Sequence, residues 1–200
     1  MGAADPDVVL PLAAHVPPAR HARSTLILAS IGTVRQKNLF AEYERALPEQ
    51  HKETLLGAIA ATWIPIDAAV AHYRTCDTLA LSTEQQVQNG RSTFEGARGT
   101  LLGTAVRMAR GAGLSPWTML PHLQRFWDRG FDGGGISVVR TGPKDAQTNL
   151  VQCATVVSPY FRNGLRGLLG ALMELSCTKA YVTERRRATE TSLSFRVQWA

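Results

Sequence analysis

The 200-residue sequence predicts an α+β fold, in which a helical N-terminal half is followed by a four-stranded antiparallel sheet. Apolar residues recur at helical spacing from Arg35 to Gly130, and short strand-like runs replace them beyond Asp132. A glycine-rich helical segment separates two pairs of these runs. The second half therefore has the order β-β-α-β-β, and the glycine-rich helix covers one face of the sheet.

Residues 1–24 are rich in proline and small residues, which predicts a flexible leader and a single folded domain at residues 25–200. The apolar run at residues 26–31 is compatible with a strand or with the start of a helix. Ser82 and Gln85 have the spacing of a capping box. Helical periodicity predicts helices at about residues 35–47, 48–63, 67–79, 83–110 and 115–130.

The sheet half begins with predicted strands at residues 136–139 and 149–157, joined through a turn at residues 142–145. Tyr160–Leu175 then has helical periodicity. Its small residues share one face of the helix, which predicts close packing of the helix backbone against the sheet. These small residues are Gly164, Gly167 and Ala171. The closing strand at residues 193–199 alternates apolar and polar side chains, as a half-buried strand does.

Charge and cysteine content limit the classes of protein. The formal net charge of +6 and the pI near 9.7 favour weak attraction to acidic partners. The cluster Arg185–Arg187 leaves nucleic-acid binding through a basic C-terminal hairpin as an alternative. Three widely spaced cysteines argue against a disulfide framework and for a reducing compartment. The sequence has no signal peptide and no apolar run of about 18 residues, so we expect a cytoplasmic protein without a membrane span.

The sequence contains no catalytic signature such as a nucleophile elbow or a phosphate loop, so we expect that the chain is not an enzyme. No histidine or cysteine spacing suggests a metal site. His122, which precedes the sheet, is a candidate ligand of haem. A helix at this point would aim its imidazole into a cleft between helices and sheet, as an axial ligand of haem requires. The alternative is a half-exposed surface histidine.

Five aromatic residues fall near predicted helix ends or near the junction of the two halves: Trp63, Trp117, Phe126, Tyr160 and Phe161. Aromatic residues in such positions are mostly core. Together they also predict an apolar ligand pocket at the helix–sheet junction.

The order of these segments resembles a superfamily of known domains. The matching segments are Thr62–Pro65, Phe94–Met108, Phe126–Phe131, Pro159–Gly164, Leu168–Leu175 and Ser194–Trp199. Residues 25–200 resemble the superfamily of haem–nitric-oxide-binding domains, 4-vinyl-reductase-like domains and Bet3-type subunits of the vesicle-tethering TRAPP complex. Within it, the chain looks like an uncharacterised domain family of myxobacterial proteins.

The resemblance has several implications for function. Haem-binding members use a histidine on a late helix, near the position of His122, and a Tyr-x-Ser-x-Arg motif that holds the haem propionates. Residues 131–135, Phe-Asp-Gly-Gly-Gly, take the place of that motif here. We therefore expect a non-enzymatic sensory or scaffolding domain without a cofactor. It would bind a partner protein, a second copy of itself or a small apolar ligand; a haem-based gas sensor is the alternative.

Overall fold

The computed structural model describes residues 7–96 and 115–200, and it confirms the α+β class. Its helices are α1 Ser24–Gln36, α2 Phe40–Ala46, α3 Glu49–Leu56, α4 Ile66–Asp77, α5 Thr83–Gly96, α6 Pro116–Met119, α7 Leu123–Gly130 and α8 Pro159–Met173. Its strands are β1 Asp7–Leu10, β2 His21–Arg23, β3 Trp63–Pro65, β4 Phe131–Asp132, β5 Gly135–Gly142, β6 Asp145–Val151, β7 Ala180–Arg186 and β8 Leu193–Trp199.

The main sheet has five antiparallel strands in the order β1-β5-β6-β8-β7. Four of them are the strands of the two predicted hairpins, so the antiparallel core of the fold is as predicted. The fifth, β1, comes from the N-terminal segment. A smaller sheet in the order β3-β2-β4 lies beside it and also uses a strand from that segment.

The prediction of a flexible leader at residues 1–24 is wrong for the part that the structure describes. Asp7–Leu10 pairs with β5, and the Asp7 carboxylate lies 3.0 Å from the Arg140 guanidinium. The Ala19 amide donates to the Gln152 carbonyl at 2.8 Å. Pro11, Pro17 and Pro18 lie between β1 and β2, so their missing amide hydrogens remove no hydrogen bond from either strand.

The closing hairpin agrees with its predicted alternation. In β8, the side chains of Leu193, Phe195, Val197 and Trp199 are buried, and the residues between them are half-buried or exposed. In β6, Ala146, Thr148 and Leu150 point to the same buried face. The predicted strand at 149–157 is too long, because it ends at Val151. Gln152 then has a φ of 61°, and a 3₁₀ turn follows at Ala154–Val157.

The glycine-rich face of α8 packs against another helix, so the predicted contact of its glycines with the sheet is wrong. An added Cβ at Gly167 would lie 1.9 Å from the Val87 carbonyl oxygen of α5. An added Cβ at Gly90 of α5 would lie 1.9 Å from the Gly164 carbonyl oxygen. Both contacts are shorter than any Cβ allows. The missing side chains therefore let the α5 and α8 backbones touch.

The helix ends agree with the sequence in part. The Ser82 amide donates to Gln85 Oε1 at 2.8 Å, and the Gln85 amide donates to Ser82 Oγ at 3.3 Å, which is the predicted capping box. The remainder of the long helix predicted to residue 110, including the matched segment up to Met108, lies outside the described residues. The predicted helix at 115–130 is split by a 3₁₀ turn, Leu120–His122, at Pro121.

Candidate functional site

An apolar cavity of about 130 Å³ lies between helices α5, α7 and α8 and the main sheet. The apolar side chains that line it are Leu26, Phe94, Leu123, Phe126, Trp127, Phe131, Ile136, Leu150, Leu165, Leu168, Leu169, Leu172 and Phe195. None of the described residues that line it carries a charge. The cavity therefore suits a small apolar molecule and disfavours an ion, because an unpaired charge in such surroundings loses its hydration.

A second cavity of about 70 Å³ adjoins the first. The two cavities share the lining residues Leu26, Thr93, Phe131, Leu165 and Leu168. Unlike the first cavity, the second has a polar end, formed by Ser30, Asn89 and Tyr160.

The polar end belongs to a chain of hydrogen bonds that runs through the core. Tyr43 Oη lies 2.8 Å from His72 Nδ1, and His72 Nε2 lies 3.0 Å from Ser30 Oγ. Ser30 Oγ lies 3.0 Å from the Tyr160 hydroxyl, to which Asn89 Nδ2 also donates at 3.5 Å. We name these five residues the core polar chain. Their side chains are all buried, so the chain fixes the relative positions of α1, α2, α4, α5 and α8.

Burial keeps the titratable members of the core polar chain uncharged. It lowers the pKa of His72 to about 3, so the imidazole is neutral at physiological pH. Burial is also the main cause that raises the pKa of Tyr160, to about 12, and it raises the pKa of Tyr43 above its ordinary range. The chain is thus a neutral hydrogen-bonding network and has no poised acid or base at neutral pH.

The start of α8 holds Tyr160 in place. Ser158 caps this helix by accepting a hydrogen bond from the Phe161 amide at 3.2 Å. Asp77, at the end of α4, accepts from the Tyr160 amide at 2.7 Å and from the Ser158 hydroxyl at 3.0 Å. A carboxylate at a helix N-terminus also interacts favourably with the helix dipole.

The structure brings three of the five predicted pocket residues to the cavities. Phe126 lines the first cavity, and Tyr160 and Phe161 line the second. All three therefore lie at the helix–sheet junction where the sequence suggests a pocket. That they contact a ligand stays a prediction.

Trp63 and Trp117 line neither of these two cavities, so the prediction that they share a pocket with Phe126 is corrected. Trp63 is 41% exposed on β3, and the Arg23 guanidinium lies 4.1 Å from the centre of its ring. Trp117 packs edge-to-face on Trp199, and its indole N–H donates to the Pro143 carbonyl at 2.9 Å. Each ring thus packs against residues outside the two cavities, and the spacing of the aromatic residues in the sequence does not predict these contacts.

His122 lies in the 3₁₀ turn between α6 and α7, and that turn packs against β1. Its side chain is half-buried and lines neither cavity. The described lining of the first cavity includes no histidine, cysteine, tyrosine or methionine. The residues of this site therefore do not fit a haem ligated by His122. Within residues 7–96 and 115–200, no cluster of three acidic, histidine or cysteine side chains could hold a metal ion.

In the basic hairpin, one of the three arginines is already held by a hydrogen bond within the protein. Arg185 Nη1 donates to Gln147 Oε1 at 2.6 Å, and the exposed Arg187 follows the end of β7. Nucleic-acid binding through this hairpin stays a prediction.

Sequence reasoning missed Thr148 and the core polar chain. Thr148 lines the first cavity, and its hydroxyl oxygen is the one buried side-chain nitrogen or oxygen without a hydrogen-bond partner in the described parts of the chain. A predicted strand that began near Ala146 would have revealed Thr148, because alternation then places its hydroxyl on the same face as the apolar side chains of Ala146 and Leu150. The core polar chain has no comparable signal, since its members come from five helices.

The fold is that of H-NOX domains. An unliganded Fe(II) H-NOX protein from K. algicida matches with a TM-score of 0.65 and 9% sequence identity, over 89% of this chain and 96% of that one. A variant H-NOX from T. tengcongensis matches with a TM-score of 0.56 and 13% identity, over 88% of this chain and 97% of that one. At these identities the likeness concerns the fold alone.

The chain belongs to the family described as "Protein of unknown function (DUF2378)", whose model matches residues 60–200. No curated protein matches the sequence. None of the helices in the two described ranges is long and apolar enough to cross a membrane.

Proposed function

We propose that this chain is a non-enzymatic sensory domain that binds a small apolar molecule in the cavity between α5, α7, α8 and the main sheet. The observation that carries the proposal is the cavity itself, with its uncharged, apolar lining of aromatic and leucine side chains. Apolar cavities of roughly 150 Å³ take up molecules of benzene size. A mostly apolar lining with a few polar groups is typical of small-molecule sites.

The test uses toluene as the probe and isothermal titration calorimetry as the measurement, after native mass spectrometry of the purified protein for a retained ligand. Leu168 lines both cavities, so Leu168→Phe places extra atoms in them. Leu56→Phe on α3 is the matched control because Leu56 lines neither cavity. We expect toluene to bind the wild type and the control equally, and Leu168→Phe at least tenfold more weakly.

Circular dichroism of all three proteins establishes that they share one fold before affinities are compared. A wild type that binds no toluene and retains no ligand in native mass spectrometry would overturn the proposal. Equal affinities of the wild type and Leu168→Phe would show that any binding occurs elsewhere.

A haem-based gas sensor that uses His122 is the second candidate. The likeness to H-NOX domains supports it more directly than it supports a small apolar ligand. The local residues support the apolar ligand instead, because His122 lines neither cavity. Addition of haem to the purified protein separates the two: a Soret band that His122→Ala abolishes, and that shifts when nitric oxide is added, supports the gas sensor, and the absence of a band removes it.

We also propose that the chain is related to myxobacterial, TRAPP-type and 4-vinyl-reductase-like domains and that it is located in the cytoplasm. A partner protein or a second copy of the chain would receive the signal. Analytical ultracentrifugation over a range of concentrations tests self-association directly.

A further inference from the structure

Thr148 is an isolated polar residue on the apolar wall of the cavity. On β6 it lies on the same buried face as Ala146 and Leu150. Its register partners are Val138 on β5 and Phe195 on β8, both buried and apolar. The side chain is only 5% exposed, and its hydroxyl oxygen has no hydrogen-bond partner in the described part of the protein.

A buried hydroxyl without a hydrogen-bond partner destabilises a protein, because it loses its bonds to water and gains none in return. Valine has nearly the same shape and would avoid this cost, so the hydroxyl at residue 148 needs a partner that the described side chains do not provide. A water molecule is a poor partner here, because a buried water needs two to four polar contacts and the described residues of the cavity wall offer one unpaired hydroxyl. The remaining source of a partner is a molecule bound in the cavity.

The other polar residues that line the cavity are already engaged. Thr93 Oγ1 donates to the Asn89 carbonyl at 2.9 Å. The Asn149 amide donates to Ser137 Oγ at 3.2 Å, and its oxygen accepts from Gln147 at 2.7 Å. Among the described residues of the cavity wall, Thr148 therefore provides the one buried hydroxyl that makes no hydrogen bond, and its donor is available to a ligand.

We infer that the ligand is a small, uncharged and largely apolar molecule with one hydrogen-bonding group, such as a phenol, an alcohol or a ketone, and that this group pairs with Thr148 Oγ1. This inference rests on the proposed function. A charged ligand is disfavoured because no charged side chain among the described residues lines the cavity. The Thr148 hydroxyl can donate to a carbonyl or accept from a hydroxyl. It therefore favours a ligand that carries one polar group at the position facing Thr148.

The test compares phenol with toluene, which have the same number of heavy atoms and nearly the same shape. Both affinities are measured by calorimetry for the wild type, Thr148→Val and Thr148→Ser. Thr148→Val keeps the shape and removes the hydroxyl, whereas Thr148→Ser keeps the hydroxyl and removes the methyl group. We expect the ratio of toluene to phenol dissociation constants to fall about three- to tenfold in Thr148→Val, as loss of one neutral hydrogen bond predicts. In Thr148→Ser the ratio stays near that of the wild type.

The outcomes separate this inference from the proposed function. If both probes bind and Thr148→Val leaves the ratio unchanged, the role of Thr148 is refuted while the cavity remains a ligand site. If neither probe binds the wild type or Thr148→Val, the proposed function fails and the inference fails with it. Selective loss of phenol affinity in Thr148→Val, with toluene affinity kept or increased, supports both.

Discussion

The backbones of α5 and α8 touch where Gly90 meets Gly164: a Cβ added at Gly90 would lie 1.9 Å from the Gly164 carbonyl oxygen. The obstacle is backbone rather than a flexible side chain, so it cannot move aside without shifting a helix. The two helices form one wall of both cavities. The contact therefore determines the separation of the helices that bound the candidate site.

We expect Gly90→Ala to lower the free energy of unfolding by about 1–3 kcal/mol, in the range for overpacked cores. Urea denaturation followed by circular dichroism measures the change. Gly32→Ala on α1 is the matched control, since a Cβ there would meet no atom within 4 Å. Alanine in that helix raises the free energy of unfolding by up to about 1 kcal/mol. Equal responses of the two variants would refute the close contact.

A two-point ion pair reinforces the same helix pair and ties it to the sheet. Arg91 Nη1 and Nη2 lie 2.6 Å and 3.2 Å from the two carboxylate oxygens of Glu174, which follows α8. The Ala180 amide, at the start of β7, donates to Glu174 at 3.2 Å. The hydrogen bond from Arg91 is the main cause that lowers the pKa of the Glu174 carboxyl, so the group is ionised at neutral pH.

We expect Glu174→Gln to lower the free energy of unfolding by about 1.5–3 kcal/mol, because a partly buried, charge-assisted pair loses its anion. Thermal and urea denaturation at pH 7 measure the loss. Glu44→Gln is the control, since Glu44 is exposed on α2. Surface changes of that kind stay within about 0.5 kcal/mol. A loss no larger than that of the control would show that the pair contributes little.

Hydrophobic periodicity and the positions of glycine and proline predict where helices and strands lie. Which helices and strands pack against one another depends on the whole chain. The alternation at residues 193–199 predicts β8 because one face of that strand is buried. The glycines at 164 and 167 predict a close approach, yet a missing Cβ is equally suited to a sheet and to a helix. Only the assembled chain reveals that α5 is the partner. The leader is mispredicted for the same reason, since its strand β1 is ordered by pairing with β5, which is distant in the sequence.

The candidate site shows the same division. Phe126 and Tyr160 are predicted from their place near the junction, and both line a cavity. Trp63 and Trp117 fall equally near predicted junctions but line neither cavity, since Trp63 contacts Arg23 and Trp117 packs on Trp199. His72 gives no signal in the sequence, because its partners Tyr43 and Ser30 are 29 and 42 residues away along the chain.

The buried His72 makes stability depend on pH. In the unfolded chain a histidine binds a proton below a pH of about 6.5. In the folded chain burial lowers the pKa of His72 to about 3, so the imidazole stays neutral over the intervening range. The unfolded state then binds more protons, and stability falls as the pH drops from 6.5 towards 3. The slope from this one group reaches about 1.4 kcal/mol per pH unit.

We expect His72→Gln to remove this part of the slope, because glutamine can still bond to Tyr43 and Ser30 but does not titrate. Urea denaturation at pH 7, 6, 5 and 4.5 measures the slope for each protein. The variant is less stable than the wild type at pH 7, and the difference narrows on acidification. His15→Gln is the matched control, since it makes the same substitution at an exposed histidine. The same slope in His72→Gln as in the wild type would mean that the folded protein protonates His72 as readily as the unfolded chain does.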